Sequence, residues 1–371
     1  MQPHSSRTSS VSLVSSNTPH TQQERVHLDC LKKMAGASPL HLLLSFLLLV
    51  SMAAADQCHD DDHAALVAID TALGSPYHFA SWTPDSACCD WYDVDCDADT
   101  GRVVGLRVYQ DTNMSGIIPD AIANLTFLET LTLHHLPAIS GAIPDSLVAL
   151  SNLSELTISY TGVSGPVPSF LGALTALTLL DLSYNSLAGV IPPSLADLIN
   201  LSSINLRRNR LSGAIPSLLL SKSPDGAYLQ LSHNNLSGII PTEFATVNFS
   251  YVDLSRNTLS GDATCLFGAE KAIQHLDVSR NALNFDLSDV EFPEQLTYAD
   301  LSHNAIRGAI PAQVATLDGL QQFNVSFNRL CGAVPTGGNM SRFGRYSYLH
   351  NKCLCGTPLT ACRQRPVGYL H

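Results

Sequence analysis

At 371 residues, 45% hydrophobic and only 14% charged, the chain carries 32 Asp and Glu against 20 Lys and Arg, a formal charge of −12. From residue 56 onward the balance is 30 acids to 16 bases, or −14. Such a charge disfavours nucleic acid and acidic polysaccharides as partners and favours a surface with a positive patch; histidines that gain charge in a mildly acidic compartment would reduce the excess.

Residues 1–33 are polar, rich in Ser and Thr, and without apolar period. Leu42 to Val50 is a short apolar run, preceded by Lys32 and Lys33 and followed by Ala53-Ala54-Ala55. This is the pattern of a secretory signal with a small-residue cleavage site, too short to cross a bilayer as a membrane helix. The reading is an extension over 1–33, a signal peptide over 34–55 with Met34 as the true start, and a mature chain beginning near Asp56.

Cysteine usage agrees with export. Cys30 precedes the signal; of the rest, Cys58, Cys88, Cys89 and Cys96 sit at the front and Cys331, Cys353, Cys355 and Cys362 at the back. Even clusters at both ends suggest disulfides that close them. Spacing leaves the connectivity open; the expected pairs are Cys58–Cys88, Cys89–Cys96, Cys331–Cys353 and Cys355–Cys362. Cys265, in Cys265-Leu266-Phe267, is left over and reads as a small buried hydrophobe rather than a reactive thiol. Eight N-x-[ST] sequons, at Asn113, Asn124, Asn152, Asn200, Asn235, Asn248, Asn324 and Asn339, add to the case for a glycosylated extracellular protein.

Residues 56–101 form a cysteine-rich N-terminal cap. Leu66, Ile69 and Leu73 give Asp61 to Leu73 a helical spacing, and Trp82 and Trp91 can cover the first coil behind it. His59-Asp60-Asp61-Asp62-His63 invites a metal reading, but acids in a helix's first turn are favoured by its dipole without any ion. No metal or other cofactor is expected.

From residue 102 to 335 a pattern returns about every 24 residues, clearest in Leu177-Thr178-Leu179-Leu180-Asp181-Leu182-Ser183-Tyr184-Asn185-Ser186-Leu187-Ala188-Gly189-Val190-Ile191-Pro192. Its Asn recurs at 185, 209, 234, 257, 281, 304 and 328, at intervals of 24, 25, 23, 24, 23 and 24. With three irregular copies before them (Val103 to Pro119, Leu128 to Pro144, Leu153 to Pro168), the repeats number ten. That regularity marks an α/β leucine-rich-repeat solenoid with a parallel concave sheet. The alternating Leu residues of each short strand point inward, and the Asn amide can satisfy backbone groups as a ladder inside the coil. Gly in the Leu-x-Gly-x-Ile-Pro tail permits a backbone conformation that a β-carbon resists, and Pro stops the following segment from extending the ladder. The tail is lost in the seventh and eighth repeats, at Gly261-Asp262-Ala263-Thr264 and Asn284-Phe285-Asp286. After Pro335 the period stops, leaving a cysteine-rich C-terminal cap over 336–371 with no membrane helix and no kinase.

The outward side chains between the inward Leu residues are free of folding duty. Ten strands about 4.8 Å apart make an arch roughly 45–50 Å long. One row reads Arg107, Thr132, Thr157, Asp181, Asn205, Gln230, Asp253, Asp277, Asp300, Asn324; a second, just before each Asn, reads Tyr184, Arg208, His233, Arg256, Arg280, His303, Phe327. An acidic and a basic row are thus expected side by side, about 10 Å apart by strand rise. Tyr228, Tyr251 and Tyr298 join Tyr184 and Phe327 as aromatic anchors of the kind that dominate interfaces.

Tyr251-Val252-Asp253-Leu254-Ser255-Arg256-Asn257, followed by Gly261-Asp262-Ala263, Leu266-Phe267-Gly268 and Lys271, resembles the polygalacturonase-inhibiting proteins of plants. So do Asn324-Val325-Ser326-Phe327-Asn328-Arg329-Leu330-Cys331-Gly332, Asn351-Lys352-Cys353-Leu354-Cys355-Gly356 and the total of ten repeats. The resemblance runs from Asp56 to about Cys362. It implies a secreted cell-wall protein that is not an enzyme and has no catalytic residue. Such a protein binds fungal endopolygalacturonases through the concave face and limits pectin degradation in plant defence. The family's contact positions fall on Asp181, Ser202, Arg207, Asp253 and Gln274. Arg207 departs from it, since the best-known inhibitors place an acid there, and Ser202 is smaller than the apolar residue of potent members. With Arg208, Gln230, His233, Tyr251, Arg256, Asp277, Arg280 and Asp300 these make the expected partner-binding face. Two other classes compete with it. One is a ligand- or co-receptor-binding module in developmental or defence signalling, contacting a receptor or wall glycan. The other is a glycosidase using Asp253, Asp277 and Asp300 at the spacing of a retaining pair, disfavoured because an open arch with Arg256 and Arg280 nearby offers no acid of raised pKa.

Overall fold

No single coil encloses its own Leu, Ile and Val residues; stacking does so. The computed structural model describes residues 58–224 and 226–362. The extension, the signal peptide, Met34 and the mature start lie outside the described residues. Leu180, Leu182 and Leu187 of repeat four, and Ile204, Leu206 and Leu211 of repeat five, are fully buried. They belong to one hydrophobic core that runs from Ala65 to Tyr348.

The concave sheet has eleven strands: ten parallel ones from Val103–Tyr109 to Gln322–Asn324, and Val94–Cys96 antiparallel at the N-terminal edge. Register sets Arg107, Thr132, Thr157, Asp181, Asn205, Gln230, Asp253, Asp277, Asp300 and Asn324 side by side in one row. Behind the strands runs the asparagine ladder. Asn257 donates to the carbonyls of Leu231 and Leu254, at 3.0 Å each, and accepts from the Leu236 N–H at 3.0 Å. Asn209, Asn234, Asn281, Asn304 and Asn328 repeat the same three bonds in their own coils. Each amide ties two coils together and satisfies groups that a buried turn would otherwise strand.

The tails form a second sheet that the sequence reading did not anticipate. Eight parallel strands run from Gly116–Ile117 to Ala282–Leu283. The tail glycines from Gly141 to Gly261 hold φ between +78° and +88°, a region that a β-carbon disfavours. This sheet ends where repeat eight loses its tail; Arg307–Gly308 of repeat nine pairs instead with Arg329–Ala333 and, through it, Cys353–Cys355. The convex side carries 3₁₀ turns such as Asp145–Ala149 and Ala312–Thr316, each after a Pro that fixes its entry.

Four disulfides join the expected pairs, two at each end. At the N-terminal end the α-helix spans Asp60–Ala72, one residue ahead of the expected start, and the His59 imidazole caps it by accepting the Asp61 N–H at 3.3 Å. Asp62 is fully buried, accepting two bonds from Arg102 at 2.8 Å and one from the Val103 N–H at 2.8 Å. That carboxylate ties the cap to the first repeat. Phe79, Trp82 and Trp91 stack at 4.0 and 5.4 Å over the first coil. At the other end Phe343 and Tyr348 pack on Phe323. Cys265 is unpaired and half-buried, and burial pushes its thiol up to about 11.

Candidate partner-binding groove

Three rows of side chains build the concave face. Two residues ahead of the acidic row lie Tyr228, Tyr251, His275 and Tyr298, held opposite one another by strand register. Their rings stack at 5.3, 4.1 and 4.1 Å. His275 is a member that the sequence reading passed over; its position two before Asp277, like Tyr251 before Asp253, was the available signal.

In the acidic row, one oxygen of each carboxylate turns the chain at the strand's end. Asp181, Asp253, Asp277 and Asp300 accept the N–H of Ser183, Ser255, Ser279 and Ser302 at 2.8, 3.0, 2.9 and 2.8 Å. The second oxygens of Asp181 and Asp300 take the amides of Asn205 and Asn324 at 2.9 and 3.0 Å. The second oxygens of Asp253 and Asp277 have no such amide partner among the described residues, and both residues line the groove. Burial pushes Asp277 up to about 6, with Asp253 and Asp300 adding to the effect. The expectation that no concave acid has a raised pKa is therefore corrected: burial desolvates this one, and repulsion from the like charges of Asp253 and Asp300 raises it further.

The third row turns on left-handed residues. Tyr184, Arg208, His233, Arg256, Arg280, His303 and Phe327 all have φ between +54° and +56°. Each strand thus ends at its acid and the chain bends at once, so the 10 Å spacing of an extended strand does not apply. The acidic and basic rows line one groove of about 410 Å³, with Arg256, Arg280 and His303 on one wall and Asp253, Asp277 and Asp300 on the other. His303, Phe327 and His350 stack at 4.2 and 4.1 Å along the basic row, and Tyr160 stacks on Tyr184 at 3.8 Å. Desolvation lowers the pKa of His233, His275 and His303, helped at His233 by Arg208 and Arg256 and at His303 by Arg280. These three resist charging in mild acid, a correction to the expected gain of positive charge there.

Between the acidic and basic rows lies a column of buried serines, Ser183, Ser232, Ser255, Ser279, Ser302 and Ser326, interrupted by Arg207. Its guanidinium lies 4.9 Å from the Tyr184 ring centroid, with that of Arg208 at 5.2 Å. The Arg207 Nε is buried with no hydrogen-bond partner among the described residues. Of the other expected contacts, Asp181 and Gln230 continue the acidic row at its N-terminal side. Ser202, whose hydroxyl donates to the Thr178 carbonyl at 3.2 Å, and exposed Gln274 lie outside the groove, at the strand edge beyond the aromatic row. Among the sequons, Asn324 is part of the concave sheet, whereas Asn152, Asn200 and Asn339 donate to the preceding coil at Thr126, Thr175 and Asp318.

An open amphoteric groove with stacked rings suits protein recognition. Residues 59–97 match the leucine rich repeat N-terminal domain, and residues 176–198, 200–221 and 227–247 match the Leucine Rich Repeat. The chain is 48% identical to polygalacturonase inhibitor 1 of Arabidopsis thaliana, over 89% of this chain and all of the relative, and 47% identical to the polygalacturonase inhibitor of Pyrus communis, over 87% and 98%. Among solved structures, a plant ice-binding protein superposes with a TM-score of 0.80 at 46% identity, over 83% of this chain and 99% of that one.

Proposed function

The chain belongs to the polygalacturonase inhibitors, a leucine-rich-repeat family, and we propose that it docks secreted fungal endopolygalacturonases on its concave face. It is an inhibitor protein and not an enzyme. The single observation that carries the docking site is the groove lined by Asp253, Asp277, Arg256 and Arg280, with a ladder of stacked rings in the row next to its acids. That arrangement offers both charge signs and aromatic contact to a protein rim, which is what fixes orientation at an interface. Blocking is steric: a polygalacturonase seated on the arch cannot admit its polymer. The export signal, the sequons and the four disulfides favour the plant cell wall as the site of action. Asn324 stays unglycosylated in this reading, because a glycan there would cover Asp300.

A reducing-sugar assay tests the function. The protein lowers fungal polygalacturonase activity and releases no sugar from pectin by itself. Absence of inhibition across a broad panel of these enzymes would transfer the groove to a signalling ligand. Gln274→Lys places a cation at the strand edge beside the aromatic row and weakens inhibition by about 1 kcal/mol or more if the interface extends there. Unchanged affinity would confine the interface to the groove itself.

A further inference from the structure

The left-handed row does not begin at Tyr184. It already runs through Gln110, His135 and Tyr160 of repeats one to three, with φ of +53°, +60° and +54°. Their N–H groups donate to the carbonyls of His134, Ser159 and Ser183 at 2.9, 2.9 and 3.1 Å, so the turns that present these side chains are pinned to the next coil. Together with Tyr109 and His134 they form a band of rings beyond the N-terminal end of the groove. Tyr109 lies 6.1 Å from His134, His134 and His135 lie 5.3 and 5.9 Å from Tyr160, and Tyr160 stacks on Tyr184 at 3.8 Å. Tyr109 is 44% exposed and Tyr160 36%, and His135 is exposed beside them. A hydrogen bond of 2.9 Å between His134 Nδ1 and the Ser159 hydroxyl holds that ring in place.

The band differs from the groove in charge, since none of its members is an Asp, Glu, Lys or Arg. On the strands beside it, Val103–Tyr109, Thr130–His134, Glu155–Ser159 and Leu179–Asp181, the charged residues are Arg107, Glu155 and Asp181. Arg107 pairs with Asp95, and Asp181 is held by the Ser183 N–H and the Asn205 amide. Glu155 opens its strand, at the end away from Tyr160. A ring surface of this kind has little to offer a charged rim. It suits apolar contact, with the hydroxyl and imidazole groups left to satisfy the polar backbone of whatever covers it.

We propose that repeats one to three carry a second contact zone for the docked polygalacturonase, which seats an uncharged loop with an apolar or aromatic tip against Tyr109, His135 and Tyr160. The inference rests on the docking reading above, and the Tyr160–Tyr184 stack makes the zone continuous with the groove. The two zones act on different steps. Charges of both signs in the groove steer and orient the encounter, an effect on the association rate that salt screens. Rings already held in position bury apolar area at little entropic cost and slow dissociation.

Surface plasmon resonance of the full secreted glycoprotein against purified fungal endopolygalacturonases, at low and at high salt, tests the assignment. Tyr160→Asn keeps the turn, because Asn enters the left-handed region more readily than Tyr. It raises the dissociation rate about tenfold, leaves the association rate in place, and does so equally at both salts. Tyr109→Ala, which spares the Tyr160–Tyr184 stack, raises the dissociation rate several-fold and carries the test if Tyr160→Asn loses its fold. Asp253→Asn in the groove instead slows association with a basic enzyme at low salt. Unchanged dissociation in the folded ring variants, with Asp253→Asn still impaired, would overturn this zone and leave the groove as the docking site. A ring-variant loss confined to association and erased by salt would overturn it as well. Failure of the unmutated protein to bind any enzyme of the panel would overturn the docking reading and this inference with it.

Discussion

Asp277 and Arg207 concentrate the residue-scale chemistry of the groove. Asp277 titrates near 6 in the fold against an ordinary 3.8, so between those values the folded state holds a proton that the unfolded chain releases. Its contribution to stability is complete below about pH 4 and is lost as the pH rises through 6. A docking cation has the opposite requirement, since it needs the ionised carboxylate. Affinity for a basic polygalacturonase rim is therefore expected to rise as the pH climbs toward 6, by up to about tenfold per pH unit, and Asp277→Asn flattens the profile. Surface plasmon resonance across that interval reads the slope; a slope that survives in Asp277→Asn assigns the titration to another group. Arg207 is argued from its neighbours. In a column otherwise made of serine it adds a guanidinium that makes no ion pair among the described residues. Arg207→Asp is expected to raise the association rate with a basic enzyme several-fold at low salt, with the gain shrinking as salt is added. An association rate that does not move would remove the electrostatic account of this position.

At the scale of the element, the repeat is held by its asparagine as much as by its leucines. Asn257 serves two carbonyls of different coils and one N–H, all buried. Asn257→Ala strands these groups and is expected to cost about 2–4 kcal/mol, read by chemical denaturation; a loss below 1 kcal/mol would mean that water replaces the amide. Much of this element was legible in the sequence, because inward Leu and ladder Asn obey a fixed period and one register fixes every row. The acidic row was read in the right order for that reason. Three features were not legible. The second sheet is made of two- to five-residue strands, most with one buried Leu, Ile or Val beside Ser and Gly, too short to show an alternation. The left-handed turn at Arg208, Arg256 and Arg280 uses side chains that normally avoid it, at roughly 1–2 kcal/mol each, offset by the bonds of the following Asn. The shift of Asp277 depends on how deeply its carboxyl is buried between neighbouring coils, which spacing along one chain does not report.

Across the whole molecule, a solenoid is stable in proportion to how well each coil meets the next, so its two ends are its weak points. The chain answers this differently at each end. Phe79, Trp82 and Trp91 plate the first coil, and the buried Asp62–Arg102 pair clamps the helix to it. Toward the C-terminus, where repeats seven and eight lose their tails and the second sheet stops, Phe267 packs against Phe285 and Phe292 in the core. Beyond them the Cys331–Cys353 disulfide holds the closing strand Cys353–Cys355 against Arg329–Ala333, and Cys355–Cys362 ties the following segment back to that strand. Reduction of the four disulfides removes about 2–4 kcal/mol per bridge, but that loss falls on the ends. Under mild reductant, hydrogen exchange is therefore expected to accelerate first in residues 58–119 and 320–362, while amides of repeats four to six keep their protection. The groove spans repeats four to ten, so the loss reaches its Asn324 side before its Tyr184 side, and inhibition declines before the central coils open. Uniform acceleration along the chain would show instead that the coils unfold as one unit, with the caps acting on all of them at once.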